Sequence, residues 1–263
     1  MEPRTSKNSL SSKAIALCFL VVCLLVSCVS ALGHNVVIRE NVSAKRKQDL
    51  VARLRAISGL TKLNFDEAGV LTLGQPYVNG SAEARSLLAQ AVNGDKVIII
   101  EDASGRSDVA FCRVVPGRWV AGDGTKMPAF VVLIDFADFK QLLGDAEARA
   151  AFDVGWGFLH ELDHVVADST DATEASLLGD CESHINVMRN ELGLPQRVEY
   201  FYSETSLKTD PNFTTRFVKL PFESFDPQTS RKRRYWIAWD ATTVGGLTTT
   251  GQTAVVRESS PKK

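Results

Sequence analysis

The sequence lacks an excess of charge of either sign. Its 263 residues carry 30 basic and 31 acidic side chains, which gives a formal net charge of −1. Proteins that bind nucleic acids through the phosphates usually show a clear positive excess, so the overall charge argues against a nucleic-acid partner. The basic run Arg231 to Arg234 directly precedes the apolar residues 235–239. We interpret it as a solvated hairpin turn that enters a strand.

Cysteine is scarce outside the N-terminal region. Three of the five cysteines, Cys18, Cys23 and Cys28, lie in an apolar N-terminal segment, which leaves only Cys112 and Cys181 for the rest of the chain. The body of the protein can therefore contain at most one disulfide, between these two residues. Cys181 fits equally well as a small buried apolar side chain on a helix.

Charged residues are absent from positions 14–33, which follow a short stretch with three basic residues. This pattern predicts a targeting segment within residues 1–31. It can be a signal peptide cleaved after Ala31, an uncleaved anchor, or a lipoprotein signal, since Leu25–Cys28 resembles a bacterial lipobox with Cys28 as the lipidated residue. All three alternatives place the rest of the chain outside the cytoplasm, secreted, periplasmic or lipid-anchored to the cell envelope. Membrane contact would then be limited to the N-terminal lipid or anchor.

The chain has only four histidines, and two of them belong to the sequence H-E-L-D-H at residues 160–164. Side chains four residues apart lie on the same face of a helix, so His160 and His164 can reach one Zn²⁺ ion. Glu161 is placed beside the first histidine, where it can take a proton from water that the metal activates. The motif therefore predicts a zinc site in which Glu161 is the general base.

The residues around this motif favour a buried helix. Apolar side chains recur at helical spacing over residues 146–166, and Asp145 is a suitable N-cap. Gly155 and Gly157 would allow another backbone to approach closely. The β-branched run at residues 130–136 predicts a strand directly before the helix.

A catalytic zinc ion usually has three protein ligands, and the third must come from elsewhere in the chain. A second helix is predicted from about Glu174 to Leu192, with an apolar stripe that packs on the core. Glu182 and His184 flank this stripe on opposite sides, whereas Asp180 lies further round the helix. We predict Glu182 as the third ligand and keep His184 as the alternative.

With Glu182 in this position, residues 160–195 resemble the gluzincin type of zinc metallopeptidase. The metzincin pattern is excluded, because the chain has Ala167 and Thr170 where that pattern requires glycine and histidine. The segment 182–195 is also similar to metallopeptidase-like domains of bacterial secreted and toxin proteins. The resemblance implies a zincin-like core, Zn²⁺ as the cofactor, and hydrolysis of a peptide bond in a peptide or protein substrate.

The developing oxyanion in such a reaction needs an additional hydrogen-bond donor. The candidates are Arg189 on the second helix and the two tyrosines that follow it, Tyr200 and Tyr202, in a segment (198–202) that also has the pattern of an ordinary strand. A non-enzymatic zinc-binding or interaction protein of the cell envelope is the alternative function, since a site closed by four protein ligands would leave no position for water.

The order of the predicted elements favours an α+β fold, because strands precede the two metal-binding helices instead of alternating with them. The expected core is a small mixed sheet packed on the H-E-x-x-H helix, with the second ligand-bearing helix beside it. We divide the chain into the targeting segment 1–31, an N-terminal helical segment at 32–95, a catalytic core at 96–247 and a flexible tail at 248–263.

Overall fold

The computed structural model describes residues 35–120, 124–174, 177–200, 203–210, 213–226 and 228–245. The targeting segment with Cys28, the candidate Tyr202 and the tail 248–263 lie outside these residues and stay predictions. By its backbone contacts the chain divides after Gly33, and all described residues belong to the second unit. None of the helices in the described ranges combines the length and the apolar character that a membrane crossing requires.

The described residues form five α-helices and eleven strands. The helices are α1 (Ala44–Ser58), α2 (Ala82–Asn93), α3 (Ala146–Ala150), α4 (Val154–Val166) and α5 (Gly179–Glu191). The strands are β1 (Val36–Ile38), β2 (Asn64–Phe65), β3 (Leu71–Thr72), β4 (Val97–Asp102), β5 (Cys112–Val120), β6 (Lys126–Ile134), β7 (Leu143–Gly144), β8 (Gln196–Arg197), β9 (Ser203–Asp210), β10 (Phe213–Asp226) and β11 (Arg231–Asp240).

A mixed four-stranded sheet forms the first layer, in the order β1-β4-β6-β5. The strands β1, β4 and β6 are parallel, and β5 runs antiparallel to β6 at the edge. One face of the sheet presents Ile98, Ile100, Val132 and Ile134 to a core that also contains the apolar faces of α1, α2, α4 and α5. Because β1 pairs with β4 and both α1 and α2 contact α4, residues 35–95 share their core with the H-E-x-x-H helix.

An antiparallel sheet forms the second layer, with the path β7-β11-β10-β8 and with β9 also paired to β10. It has its own apolar core, in which Val218, Leu220 and Phe222 of β10 pack with Ile237 and Trp239 of β11. The basic run 231–234 begins β11 directly after the turn from β10, and its side chains are exposed. The run is therefore solvated as predicted, but it forms the first residues of the strand and not the turn before it. The mixture of sheets and helices is consistent with the predicted α+β class.

Three predicted elements differ in their bounds. Residues 146–166 form two helices, α3 and α4, because the Asp153 carboxylate caps the backbone N–H groups of Gly155 and Trp156. The second ligand-bearing helix begins at Gly179 and not near residue 174. Residues 198–200 are not a strand, because the Arg197 side chain binds the carbonyls of Glu199 and Tyr200.

Candidate metal centre

Helix α4 brings the three residues of the H-E-x-x-H motif to one site. The rings of His160 and His164 are perpendicular, with centroids 4.8 Å apart. Glu161 is buried next to them. The two glycines of this helix make room for side chains and not for a backbone: a Cβ at Gly155 would contact Arg53, and one at Gly157 would contact Phe139 and Cys112.

The loop after α4 adds a carboxylate to the two histidines. The helix ends at Val166, and Asp168 takes a left-handed conformation with φ of 56° that turns the chain back. Asp171 then forms a bridge with Gly179 at the start of α5. Only glycine fits there, because its φ is +77° and a Cβ would lie 2.5 Å from the nitrogen of Ala172. This close approach places the Asp171 carboxylate over the imidazoles.

The side chains of His160, His164 and Asp171 converge through specific atoms. The Oδ1 atom of Asp171 lies 3.1 Å from Nε2 of His160 and 3.3 Å from Nε2 of His164. The Nδ1 atom of His164 lies 2.9 Å from the carbonyl oxygen of Ser169, which can only accept. His164 therefore carries its proton on Nδ1 in the neutral form, which leaves Nε2 available as a ligand.

A buried thiol completes the group. Cys181, in the first turn of α5, places its Sγ atom 3.3 Å from Nδ1 of His160 and donates its S–H to the His160 carbonyl. One ligand atom from each of His160, His164, Asp171 and Cys181 can be chosen such that all four lie within 4.8 Å of one another. Cys112 and Cys181 are both free thiols, so they do not form the disulfide that the sequence allowed. Cys181 is instead the buried side chain on a helix that was the alternative.

The Asp171 carboxylate and the two imidazoles strongly shift one another's pKa. Burial opposes the protonation of His160, but hydrogen bonds to Asp171, Cys181 and Glu182 outweigh it and hold the pKa of His160 well above its usual range. In His164 the bonds to Asp171 and Cys181 outweigh burial in the same way and raise its pKa to about 11. Burial alone would raise the pKa of Asp171, yet the two imidazoles hold it far below its usual range.

The donor set itself fits a divalent transition metal ion. Two imidazole nitrogens, a carboxylate oxygen and a thiol sulfur are the ligands that zinc uses, whereas magnesium and calcium sites are built from oxygen. The residues present could thus hold such an ion.

Glu161 is held at the edge of the mixed sheet. Its Oε2 atom accepts a hydrogen bond of 2.8 Å from the backbone N–H of Val114 in β5. Burial raises the pKa of the Glu161 carboxyl, and the nearby imidazoles of His160 and His164 oppose this shift. The carboxylate therefore lies beside the two histidines and beside an edge strand at the same time.

Glu182, the predicted third ligand, is engaged elsewhere. Its carboxylate is buried and pairs with Arg189 through Oε1 and with Arg197 through Oε2, the latter at 3.0 Å. It also lies 3.4 Å from Nδ1 of His160, the nitrogen that the Cys181 sulfur approaches as well. Burial would raise the pKa of Glu182, but the two arginines hold it well below its usual range. Because both of its oxygens pair with arginines, Glu182 is not one of the four residues whose ligand atoms converge.

The other predicted site residues also have defined positions. His184 is half exposed and its Nδ1 atom contacts Asp163 at 3.1 Å, so it does not join the group. Arg189 is buried, and its hydrogen bonds go to Ala151, Glu182 and Asn186. Those bonds turn it toward Glu182 and the protein interior, which argues against its role as an oxyanion donor.

Tyr200 lies directly on the site. Its ring stacks on that of His160 with centroids 6.2 Å apart, and its hydroxyl is hydrogen-bonded to the Asp171 carboxylate. The Arg197 guanidinium also packs on the Tyr200 ring, with its central carbon 4.6 Å from the ring centroid. Tyr200 is therefore the one predicted oxyanion donor whose position in the described chain suits that role.

A cavity of about 180 Å³ opens beside His160 and Glu161. Its polar end contains Arg197 and Tyr200, and its walls are mostly apolar, formed by Phe111, Phe152, Trp156, Leu220 and Trp239. A larger open groove of about 600 Å³ is lined by residues of β1, β4 and β5 and shares none with the metal group.

Asp171 is the functional candidate that sequence reasoning missed. The H-E-x-x-H motif alone gives no reason to choose it over the other acidic residues that follow the motif. The signal was present in the short polar stretch Asp168–Asp171, since aspartate tolerates the left-handed conformation that turns the chain. Comparisons of the chain with family models, with curated proteins and with solved structures found no match.

Proposed function

We propose that this protein is a zinc-dependent peptidase of the zincin type, with His160, His164 and Asp171 as the metal ligands and Glu161 as the general base. The observation that carries the proposal is the convergence of the two Nε2 atoms and the Asp171 carboxylate next to a buried glutamate. A bound zinc ion would lower the pKa of a water molecule and polarise a substrate carbonyl.

The residues of the chain supply the remaining steps. Glu161 accepts a proton from the attacking water and passes it to the leaving amine, because its carboxylate is buried beside the imidazoles and has a raised pKa. The Tyr200 hydroxyl donates a hydrogen bond to the developing oxyanion once its hydrogen bond to Asp171 is broken. The Glu182 carboxylate lies 3.4 Å from Nδ1 of His160, where its charge favours a proton on Nδ1 and leaves Nε2 for the ion.

An extended peptide suits the surroundings of the site. The strand β5 ends the mixed sheet in the order β1-β4-β6-β5, and its Val114 amide points at Glu161. An edge strand can bind a peptide backbone by strand addition. The Val114 amide already donates to Glu161, so a peptide that pairs with β5 beside Val114 would lie next to Glu161. The apolar cavity beside His160 and Glu161 can then accept a substrate side chain.

The test is a comparison of the native chain with Glu161→Gln. The proposal predicts about one zinc per chain in both proteins, because glutamine leaves the three ligands intact. Cleavage of a random peptide library, monitored by mass spectrometry, should fall by about 10²-fold or more in the variant. Cleavage by Glu161→Gln at the native rate would refute the role of Glu161.

A non-hydrolytic zinc protein is the second candidate, favoured by the buried thiol of Cys181 near both imidazoles. A site closed by four protein ligands stabilises a fold and leaves no position for water. This candidate predicts the same zinc content, but no cleavage of the library by the native chain or by any variant of the site.

A further inference from the structure

We propose that Cys181 is a fourth, thiolate ligand of the ion held by His160, His164 and Asp171, and that it keeps the site closed in the resting protein. The inference rests on the metal site of the proposed function and adds its regulation. It would mean that the hydrolytic form is reached only when sulfur leaves the ion.

The position of the sulfur is the first argument. The Cys181 Sγ atom lies 3.3 Å from Nδ1 of His160 and 3.3 Å from the carbonyl oxygen of His160. Tetrahedral zinc with bonds of about 2.0–2.3 Å places its ligand atoms roughly 3.3–3.8 Å apart. The four ligand atoms here lie within 4.8 Å of one another, so shifts of about 1 Å would bring them to one ion.

The backbone holds the thiol and the carboxylate together, which is the second argument. Asp171 bridges to Gly179, and the Cys181 N–H donates to the carbonyl of Thr170. The loop that brings Asp171 to the histidines is thus bound to the helix turn that brings Cys181.

The environment of the thiol is the third argument. Cys181 is completely buried, although the atoms around its sulfur include two imidazoles and the His160 carbonyl. It lies in the first turn of α5, next to the bridge between Asp171 and Gly179. When the sulfur binds the ion, the S–H bond breaks, a sulfur–metal bond forms, and the thiol proton is released to solvent through the buffer.

Cobalt substitution tests the assignment without relying on activity. A cobalt(II) ion bound by thiolate has a near-ultraviolet sulfur-to-metal charge-transfer band, and one bound only by imidazole and carboxylate does not. We would load the metal-free full chain with one equivalent of Co²⁺ and record the spectra of the native protein, Cys181→Ser and Cys112→Ser. The three cysteines before residue 34 are common to all of these proteins, so they cannot cause a difference between them.

The expected result is a charge-transfer band in the native chain and in Cys112→Ser, and its complete loss in Cys181→Ser. Bound cobalt should remain in Cys181→Ser, because three ligands are intact. With zinc, this variant should cleave the peptide library several-fold faster than the native chain, since the fourth position is free for water.

Other outcomes would overturn the inference. Stoichiometric cobalt without a charge-transfer band in the native chain means that Cys181 is only a packed thiol beside the site. This result needs no variant, so it does not depend on whether Cys181→Ser folds, and it leaves the peptidase proposal intact. A band that persists in folded Cys181→Ser or disappears in Cys112→Ser assigns the sulfur to another cysteine. No bound cobalt in the native chain refutes the metal site and the peptidase proposal together.

Discussion

Asp171→Asn and Glu182→Gln should separate the metal ligand from the carboxylate that supports it. Asparagine keeps the size of Asp171 but removes the charge that lies 3.1 Å and 3.3 Å from the two Nε2 atoms. Loss of a group that only supports a ligand typically lowers metal affinity 10–100-fold. Loss of an anionic ligand should therefore cost at least about 100-fold, or about 2.8 kcal/mol at 1.4 kcal/mol per tenfold change.

Glu182→Gln should act on stability instead. Its charge compensates Arg189 and Arg197, and the Arg189 guanidinium is buried with it. Breaking a buried ion pair by removing one partner costs about 3–5 kcal/mol, because the other charge stays buried without compensation. We expect the free energy of unfolding to fall by this amount in urea unfolding measured with a chelator present. Asp171→Asn should lose less there, since the Asp171 side chain is 41% exposed.

The assay is zinc competition against a fluorescent chelator, with folding checked by circular dichroism. Asp168→Asn is the matched control, because it lies on the same loop with a side chain that is 94% exposed. It should bind zinc like the native chain. If Glu182→Gln folds and loses zinc while Asp171→Asn retains native affinity, the assignment of the third ligand to Asp171 is refuted.

Two further predictions concern parts of the fold that support the site. Burial raises the pKa of Asp138 to about 6, although the Phe111 N–H opposes the shift. Because the pKa is higher in the folded state, protonated Asp138 stabilises the fold fully below about pH 4, and this contribution is lost as the pH rises through 6. In urea unfolding, Asp138→Asn should therefore remove about 1–3 kcal/mol of the pH dependence of the unfolding free energy. A variant whose stability retains the native slope between pH 4 and 6 would contradict the assignment. Gly179→Ala should weaken zinc binding about tenfold or more without removing a ligand, because its Cβ would meet the backbone of Asp171 and Ala172. Native zinc affinity in titrations of this variant would mean that the bridge to Asp171 does not position the carboxylate.

The elements that could be predicted from the sequence are those specified by local spacing. The strand predicted at residues 130–136 was found at Lys126–Ile134, and the helical pattern of residues 146–166 was found as α3 and α4, because these elements bury apolar side chains at their own period. The break before Val154 was missed, since an N-cap such as Asp153 inside a helical pattern is a weak signal beside the apolar repeat.

The residues of the candidate site were also only partly predictable from the sequence. The H-E-x-x-H spacing by itself determined that His160, His164 and Glu161 lie together, because neighbours on one turn of a helix are set by the helix geometry alone. Which carboxylate joins them was decided only by the tertiary structure. Glu182 has the expected spacing, but the packing of Arg189 and Arg197 around it takes up both of its oxygens. Asp171 reaches the histidines through the turn at Asp168 and the bridge to Gly179, contacts that no local pattern specifies.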